Sequence, residues 1–187
     1  MSSPRPGMVH GRFQPFHLGH LEYVCEAMAR SSMLVVGITG ADPTQVRFEA
    51  SEPERSEPAA NPFTYHLRAR MIRDALLDAG IPADETLIVP FPVHTPSLWS
   101  AYCPPDVVHY LRVFSPWGDT KVQRIRDEGF DAVDLATGRS KEFSASEVRE
   151  RLRHGGDWRS MVPRAVANVL DRHDAGARLG GVAGTRA

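Results

Sequence analysis

Short apolar runs alternate with segments of helical periodicity along most of this 187-residue chain. This alternation predicts an α/β fold, with a mostly parallel sheet and helices on both of its faces. In such sheets, ligands bind beyond the carboxyl ends of the strands, where the strand order changes. Runs of strand length occur at residues 8–12, 33–38, 86–91, 110–115 and 131–136. Helical periodicity occurs at residues 19–29, 64–79, 119–129 and 144–155, and again after Pro163.

We expect the whole chain, 1–187, to form one domain, because this length supports a single sizeable core. Residues 40–61 interrupt the alternation and are rich in Pro, Glu and Ser, which predicts a loop insertion on the surface. Residues 174–187 are rich in Gly and Ala, and we expect them to form a loosely held tail.

Composition narrows the function classes. The net charge is −1, so the chain has no basic excess and we expect no nucleic-acid partner. It has no apolar run of transmembrane length and no apolar leader at its start, which favours a cytoplasmic protein with no membrane association. The two cysteines, Cys25 and Cys103, show no metal-binding or disulfide pattern, consistent with a reducing compartment.

The segment "GRFQPFHLGH", residues 11–20, follows the first predicted strand. If a helix begins near Leu18, His17 and His20 lie one turn apart at its start. Helix starts attract anions, because their N–H groups are unpaired and the helix dipole is positive there. A zinc site is the alternative for such a histidine pair, but no further Cys/His cluster supports it.

Three neighbours of the histidines extend the same interpretation. Gly11 and Gly19 carry no side chain, so a large anion can approach the backbone closely. Arg12 adds a permanent positive charge and a forked set of donors. Together these groups predict a polyphosphate site.

A second candidate segment, "FSASEVRERL", occupies residues 143–152. Ser144 and Glu147 have the spacing of a helix capping box, so a plain helix cap is one interpretation. Hydroxyls of Ser144 and Ser146 at a helix start, with Arg149 one turn later, also form a phosphate cradle. Together with the first segment, the cradle is the favoured interpretation.

With these two segments in this order, and with "NPFTYHLRARMI", "SLW" and "GDWRSMVP", the chain resembles the His-x-Gly-His nucleotidyltransferases. The resemblance covers residues 8–172 and is to the archaeal-type nicotinamide mononucleotide (NMN) adenylyltransferases in particular. It implies a Rossmann-like nucleotidyltransferase fold, transfer of a nucleoside monophosphate to a small anionic acceptor, release of pyrophosphate, and Mg²⁺ as cofactor. The acceptor oxygen of such enzymes attacks the α-phosphorus directly, so no protein nucleophile is expected. No metal-ligating residue is predicted.

The resemblance also assigns roles. His17 and His20 would hold the α- and β-phosphates, with His20 as the main transition-state contact, and Arg12 would close the site on the triphosphate or the acceptor. The expected catalytic residues are His20, His17, Arg12 and Arg149. The expected nucleotide-binding residues are Gly11, Arg12, Phe13, Gln14, His17, Gly19, His20, Ser115, Trp117, Ser144, Ser146 and Arg149, of which the last three would hold the β- and γ-phosphates. The expected acceptor-binding residues are His10, Asn61, Thr64 and Trp99.

Four positions depart from the NMN adenylyltransferase pattern. Pro96 stands where an asparagine is expected and offers no amide. Ala60 stands where the family often has an arginine for the acceptor phosphate. Trp117 replaces a small residue beside the base, and His10 replaces an apolar residue.

The NMN adenylyltransferases have close relatives in phosphonate pathways, which this chain also resembles. Those relatives transfer a cytidylyl group to a small phosphonate such as phosphonoformate. The departures therefore favour CTP and a small phosphonate as substrates. The alternative is ATP with NMN, as in NAD biosynthesis, and a remote alternative is a nucleotide-sensing domain without turnover. A class I aminoacyl-tRNA synthetase is excluded, since 187 residues leave no room for an anticodon domain. Self-association into a homo-oligomer is left open.

Overall fold

The computed structural model describes residues 3–42, 57–114, 116–136 and 142–181. Its strands are β1 (Gly7–Gly11), β2 (Leu34–Ile38), β3 (Thr86–Pro90), β4 (Val108–Leu111) and β5 (Asp131–Asp134). Its α-helices are α1 (Leu18–Met28), α2 (Tyr65–Asp78), α3 (Pro116–Asp127), α4 (Ala145–His154), α5 (Arg164–Arg172) and α6 (Ala175–Gly181). Short 3₁₀ turns occur at Pro58–Ala60, Ala83–Glu85, Pro96–Ala101 and Arg159–Met161. The predicted order of strands and helices is confirmed, although β4 begins two residues earlier than predicted and α3 three.

The five strands form one parallel sheet in the order β3-β2-β1-β4-β5. From β1 the chain moves outward through β2 to β3, then crosses to the other side of β1 to form β4 and β5. The strand order therefore switches between β1 and β4. Ligands of open α/β sheets bind at such a switch, beyond the carboxyl ends of the strands. The segment after β1 thus begins at the expected ligand position.

The two faces of the sheet carry separate cores, because successive strand residues point to opposite sides. Val9 and Val36 face a first core, which also contains buried residues of α1, α2, α4, α5 and α6. Met8 and Val35 face a second core, formed with Ile125 of α3 and the segment 91–107. The prediction of a parallel sheet with helices on both faces is confirmed. Among the described residues, no helix is long and apolar enough to cross a membrane.

The prediction of a loose tail from residue 174 is wrong for residues 175–181, which form α6. Ala175 and Leu179 are both only 3% exposed and belong to the first core. They are four residues apart, so they lie on the same helix face and can be buried together. Residues 182–187 are not among the described ones, and most of the predicted insertion, 43–56, also lies outside them.

Candidate functional site

Two histidines build the start of α1. The backbone of His17 is extended (φ −128°, ψ 173°), and its Nδ1 accepts from the His20 N–H at 3.3 Å. The His17 N–H in turn donates to His20 Nδ1, also at 3.3 Å. The two rings stack with their centroids 3.5 Å apart. The histidines therefore form a reciprocal capping box, so the helix begins at Leu18 without a serine or threonine.

The two candidate segments, about 120 residues apart in sequence, meet in the structure. A Cβ added to Gly19 would lie 3.3 Å from His17 Nδ1 and 3.4 Å from the Cβ of Phe143. The rings of His17 and Phe143 lie 6.4 Å apart. The start of α1 therefore packs against the segment that leads into α4, and Gly19 makes this close approach possible.

Arg149 joins the second segment to the first. It lies in α4, is 7% exposed, and donates to the Gln14 carbonyl at 2.6 Å and to the Ser146 hydroxyl at 3.2 Å. Both partners are neutral oxygens. Burial, followed by the nearby positive charge of Arg153, lowers the pKa of Arg149. A buried guanidinium whose partners are neutral makes this region electropositive.

Ser144 is the cap of α4, as the capping interpretation predicts. Its Oγ accepts from the Glu147 N–H at 3.2 Å. A serine hydroxyl has two lone pairs and one proton, so capping leaves it able to donate. Ser146 lies exposed in the first turn, beside Arg149. Both serines of the predicted cradle are therefore at the helix start.

The structure brings together Arg12, predicted to bind the nucleotide, and Asn61, predicted to bind the acceptor. Arg12 Nη1 donates to Asn61 Oδ1 at 3.4 Å. Thr64, predicted to bind the acceptor, caps α2: its Oγ1 accepts from the Leu67 N–H at 3.4 Å. Gly11 lies under the Phe13 ring, and an added Cβ would be 3.1 Å from that ring.

Arg68 is a residue of the site that the sequence reasoning missed. It is 2% exposed and donates to the carbonyl oxygens of Arg12, Thr39 and Gly40 at 2.7–2.8 Å. Burial lowers the pKa of Arg68 to about 10, so the side chain stays charged at neutral pH. It ties α2 to the carboxyl ends of β1 and β2. The available signal was an arginine beside Leu67 on the apolar face of a predicted helix.

Arg112, after β4, is a second residue that the sequence reasoning missed. Its Nη1 donates to the Gly19 carbonyl at 3.2 Å, and its Nη2 lies 3.0 Å from carboxylate oxygens of both Glu22 and Glu26. These contacts hold the start of α1 against β4. No local pattern indicates them, because the partners are about 90 residues away in sequence.

Three side chains that were predicted to contact a ligand are instead buried and packed or bonded within the protein. Phe13 is 1% exposed in the first core. Gln14 is 3% exposed, and its side-chain amide exchanges two hydrogen bonds with the backbone of Phe63 at 2.9 and 3.0 Å. Trp99 is 1% exposed in the second core, and its indole N–H donates to the Pro92 carbonyl at 3.0 Å. Phe13 and Gln14 can thus offer a ligand only their backbone, and the Trp99 ring is packed in the second core with its N–H already bonded.

His10, predicted to bind the acceptor, is 4% exposed on the second face of the sheet. Its ring centroid lies 5.0 Å from that of Phe91 and 5.5 Å from that of His109. Ser115 and the side chain of Trp117, both predicted to contact the nucleotide, lie outside what the structure describes.

Residues 8–151 match a family model described as cytidylyltransferase-like. A phosphonoformate cytidylyltransferase from Streptomyces viridochromogenes is 40% identical over 164 residues, which cover 88% of this chain and 89% of that protein. A nicotinamide-nucleotide adenylyltransferase from Methanolobus tindarius is 32% identical over 171 residues, which cover 90% of this chain and 89% of that protein.

A solved structure gives the same fold. A bifunctional NMN adenylyltransferase/ADP ribose pyrophosphatase from Francisella tularensis superposes with a TM-score of 0.63 at 19% identity. The match covers 94% of this chain and 53% of that protein, so this chain spans about half of it. The shared fold is the Rossmann-like sheet of nucleotidyltransferases. Since the family model covers most of the chain and a relative is 40% identical along nearly its whole length, this protein belongs to the cytidylyltransferase-like family and is a nucleotidyltransferase.

Proposed function

We propose that this enzyme transfers a cytidylyl group from CTP to a small phosphonate-bearing acid such as phosphonoformate and releases pyrophosphate. The observation that carries the proposal is the meeting of the two candidate segments, with Arg149 bonded to the Gln14 carbonyl. This contact, with the packing of Gly19 and His17 against Phe143, brings a buried guanidinium, the start of α4 and the histidine-capped start of α1 close together. Two helix starts and a buried cation with neutral partners suit a triphosphate.

The reaction proceeds without a covalent intermediate between the protein and the nucleotide. A phosphonate oxygen of the acceptor attacks the α-phosphorus of CTP, and a new P–O bond forms. The bond from the α-phosphorus to the oxygen that bridges to the β-phosphorus breaks, and pyrophosphate leaves with that oxygen. Catalysis then consists of positioning and of neutralising the charge on the α-phosphate oxygens.

The capped histidines suit the neutralising role. The Nδ1 atoms of His17 and His20 accept the capping hydrogen bonds, so in the neutral rings the proton is on Nε2, and we propose that this N–H faces the α-phosphate. We propose His20 as the main transition-state contact. His17 is 5% exposed and stacked against His20, and we propose that it fixes the orientation of that ring. Arg149, Ser144 and Ser146 would hold the β- and γ-phosphates.

Magnesium enters the proposal together with the nucleotide. Within residues 3–42, 57–114, 116–136 and 142–181, no group of three or more His, Cys, Asp or Glu side chains is arranged to hold a metal ion. Mg²⁺ commonly binds through substrate phosphates and retains several waters, so such a group is not required. The chain's own residues then act on the phosphates, and no step is assigned to the ion.

Three observations favour a small acceptor over NMN. Pro96 opens the turn Pro96–Ala101 and has no amide for a carboxamide to bond. The Trp99 indole N–H already donates to the Pro92 carbonyl, so it is not a donor for a carboxamide. Ala60 is buried and carries no charge for an acceptor phosphate. The higher identity to the phosphonoformate enzyme, 40% against 32%, supports the same choice.

We also propose that one chain supplies one complete site within one domain. Both phosphate-binding segments come from the same chain and meet at one sheet. Homo-oligomer formation and a cytoplasmic location stay predictions.

The test is a matrix of the four nucleoside triphosphates against phosphonoformate and NMN, with Mg²⁺ present and pyrophosphate release measured. We expect the highest kcat/KM for CTP with phosphonoformate, and ³¹P NMR should show the new phosphonate–phosphate linkage. A highest kcat/KM for ATP with NMN would overturn the proposal and identify an NMN adenylyltransferase. Nucleotide binding without pyrophosphate release for any pair would instead support a nucleotide sensor.

A further inference from the structure

Two buried histidines face each other beside the strand-order switch. His10 lies on β1 and His109 on β4, and in the strand pairing His109 lies opposite Met8, two residues before His10 on the same face. Their ring centroids are 5.5 Å apart and the rings are nearly perpendicular, at 83°. His10 is 4% exposed and His109 is 0% exposed. The pair therefore lies within the second face of the sheet, with His10 directly before the segment that begins at Gly11.

All four ring nitrogens of this pair are buried and have no hydrogen-bond partner among the described residues. A neutral imidazole carries one N–H donor and one acceptor nitrogen, and a buried polar group without a partner costs about 1–3 kcal/mol. Leucine or phenylalanine at these positions would avoid that cost. Buried polar groups normally have hydrogen-bond partners, so two such rings in contact indicate that a polar ligand or a water binds between or beside them.

Both histidines are neutral at neutral pH. Burial lowers the pKa of His10, and it lowers the pKa of His109 to about 4; the positive charge of Lys121 acts in the same direction on both. The pair thus offers hydrogen bonds without a charge of its own. Phe91 and Trp99, with ring centroids 5.0 Å from His10 and 5.9 Å from His109, surround it with apolar area.

We infer that His10 is a specificity-determining contact for the acceptor, and that His109 is the positioning residue that orients it. This inference rests on the proposed function. The phosphonate of a small acceptor must lie at the α-phosphorus of the nucleotide. The second acid group of the acceptor therefore lies within a few ångströms of the phosphate site that begins at Gly11. Donation from His10 to an oxygen of that group satisfies the buried nitrogen only when the acceptor is bound.

The positions of the two histidines fit a direct contact by His10 and an indirect role for His109. His10 is two residues from Arg12, whose Nη1 donates to Asn61, another residue of the predicted acceptor site. His109 is fully buried behind it, so it can influence an acceptor only through His10 or through one water held between the rings. Loss of His109 should therefore have a weaker effect than loss of His10, in the same direction.

The test compares His10→Leu, His10→Asn and His109→Leu in steady-state assays with CTP, Mg²⁺ and phosphonoformate. For His10→Leu we expect the KM for phosphonoformate to rise about tenfold, with the KM for CTP unchanged within about twofold. His10→Asn retains a donor and should recover part of the loss. His109→Leu should raise the same KM by a smaller factor. Met8→Leu, on the same strand and face, is the control for altered packing and should leave both KM values unchanged.

Other outcomes would refute the inference. If His10→Leu changes only the unfolding midpoint in urea and not the KM for phosphonoformate, the pair is purely structural. Equal increases in the KM for CTP and for phosphonoformate would mean a general disturbance of the crevice. If the wild-type enzyme binds CTP but does not use phosphonoformate, the proposed function fails separately. The same comparison is then made with ATP and NMN, where an unchanged KM for NMN in His10→Leu overturns the inference by itself.

Discussion

The substitution His109→Leu should make the folded protein less sensitive to acid. His109 is 0% exposed on β4, and burial lowers its pKa from the ordinary 6.5 to about 4, with a smaller contribution from Lys121. Between these two values the unfolded chain binds a proton at this ring and the folded chain does not. The free energy of unfolding therefore falls as the pH falls through this window. The contribution of the neutral His109 ring is fully present only above the pKa of the unfolded chain.

The size of the effect follows from the shift. A difference of one pKa unit corresponds to about 1.4 kcal/mol, so the whole window from 6.5 to about 4 corresponds to roughly 3 kcal/mol. Between pH 7 and pH 5 the unfolded ring passes from mostly neutral to mostly protonated, which contributes about 2 kcal/mol of destabilisation. Leucine has no titratable ring, so this part of the pH dependence should be absent in the variant.

The assay is urea unfolding, followed by far-UV circular dichroism, of the wild type and of His109→Leu at several pH values between 7 and 5. The stability difference between the two proteins should shift by about 2 kcal/mol across this range, in favour of the variant at low pH. His66→Leu, at an exposed position on α2, is the control for removing an imidazole as such. Parallel pH profiles for the wild type and His109→Leu would refute the reasoning, since they would mean that the buried ring titrates as it does in the unfolded chain.

Three further substitutions test the site. His20→Ala should lower kcat by about 10²–10³-fold, because it removes the proposed donor to the α-phosphate; retention of more than about a tenth of the wild-type kcat would contradict this assignment. Arg149→Ala should raise the KM for the triphosphate by roughly 10–100-fold and leave the KM for the acceptor unchanged, as expected for a charge-assisted contact; the opposite pattern would move Arg149 to the acceptor side. Arg68→Met should destabilise the fold by about 3 kcal/mol in urea unfolding, because it removes the donors from one buried and two part-buried carbonyl groups; an unchanged midpoint would mean that water replaces the guanidinium.

The local features of the chain were predictable from sequence. Strands and helices follow from apolar spacing, and the helix starts at Leu18 and Ala145 follow from the capping residues just before them. Such signals depend on residues within about one turn of each other, so no knowledge of the tertiary structure is needed. The placement of His17 and His20 at one helix start was predictable for the same reason, since both residues are local to that start.

The tertiary structure alone decided how the remaining side chains are used. Arg149 contacts Gln14, and His109 faces His10, because the order β3-β2-β1-β4-β5 places β4 and the start of α4 beside the segment after β1. Trp99 belongs to a sequence motif that predicts ligand contact, yet its ring is buried in the second core. Burial there is favourable because it removes a large aromatic surface from water. A one-dimensional pattern records which residue types are present. Which of them face each other across the sheet depends on strand order and face, and these are set by contacts between residues about 90–135 positions apart.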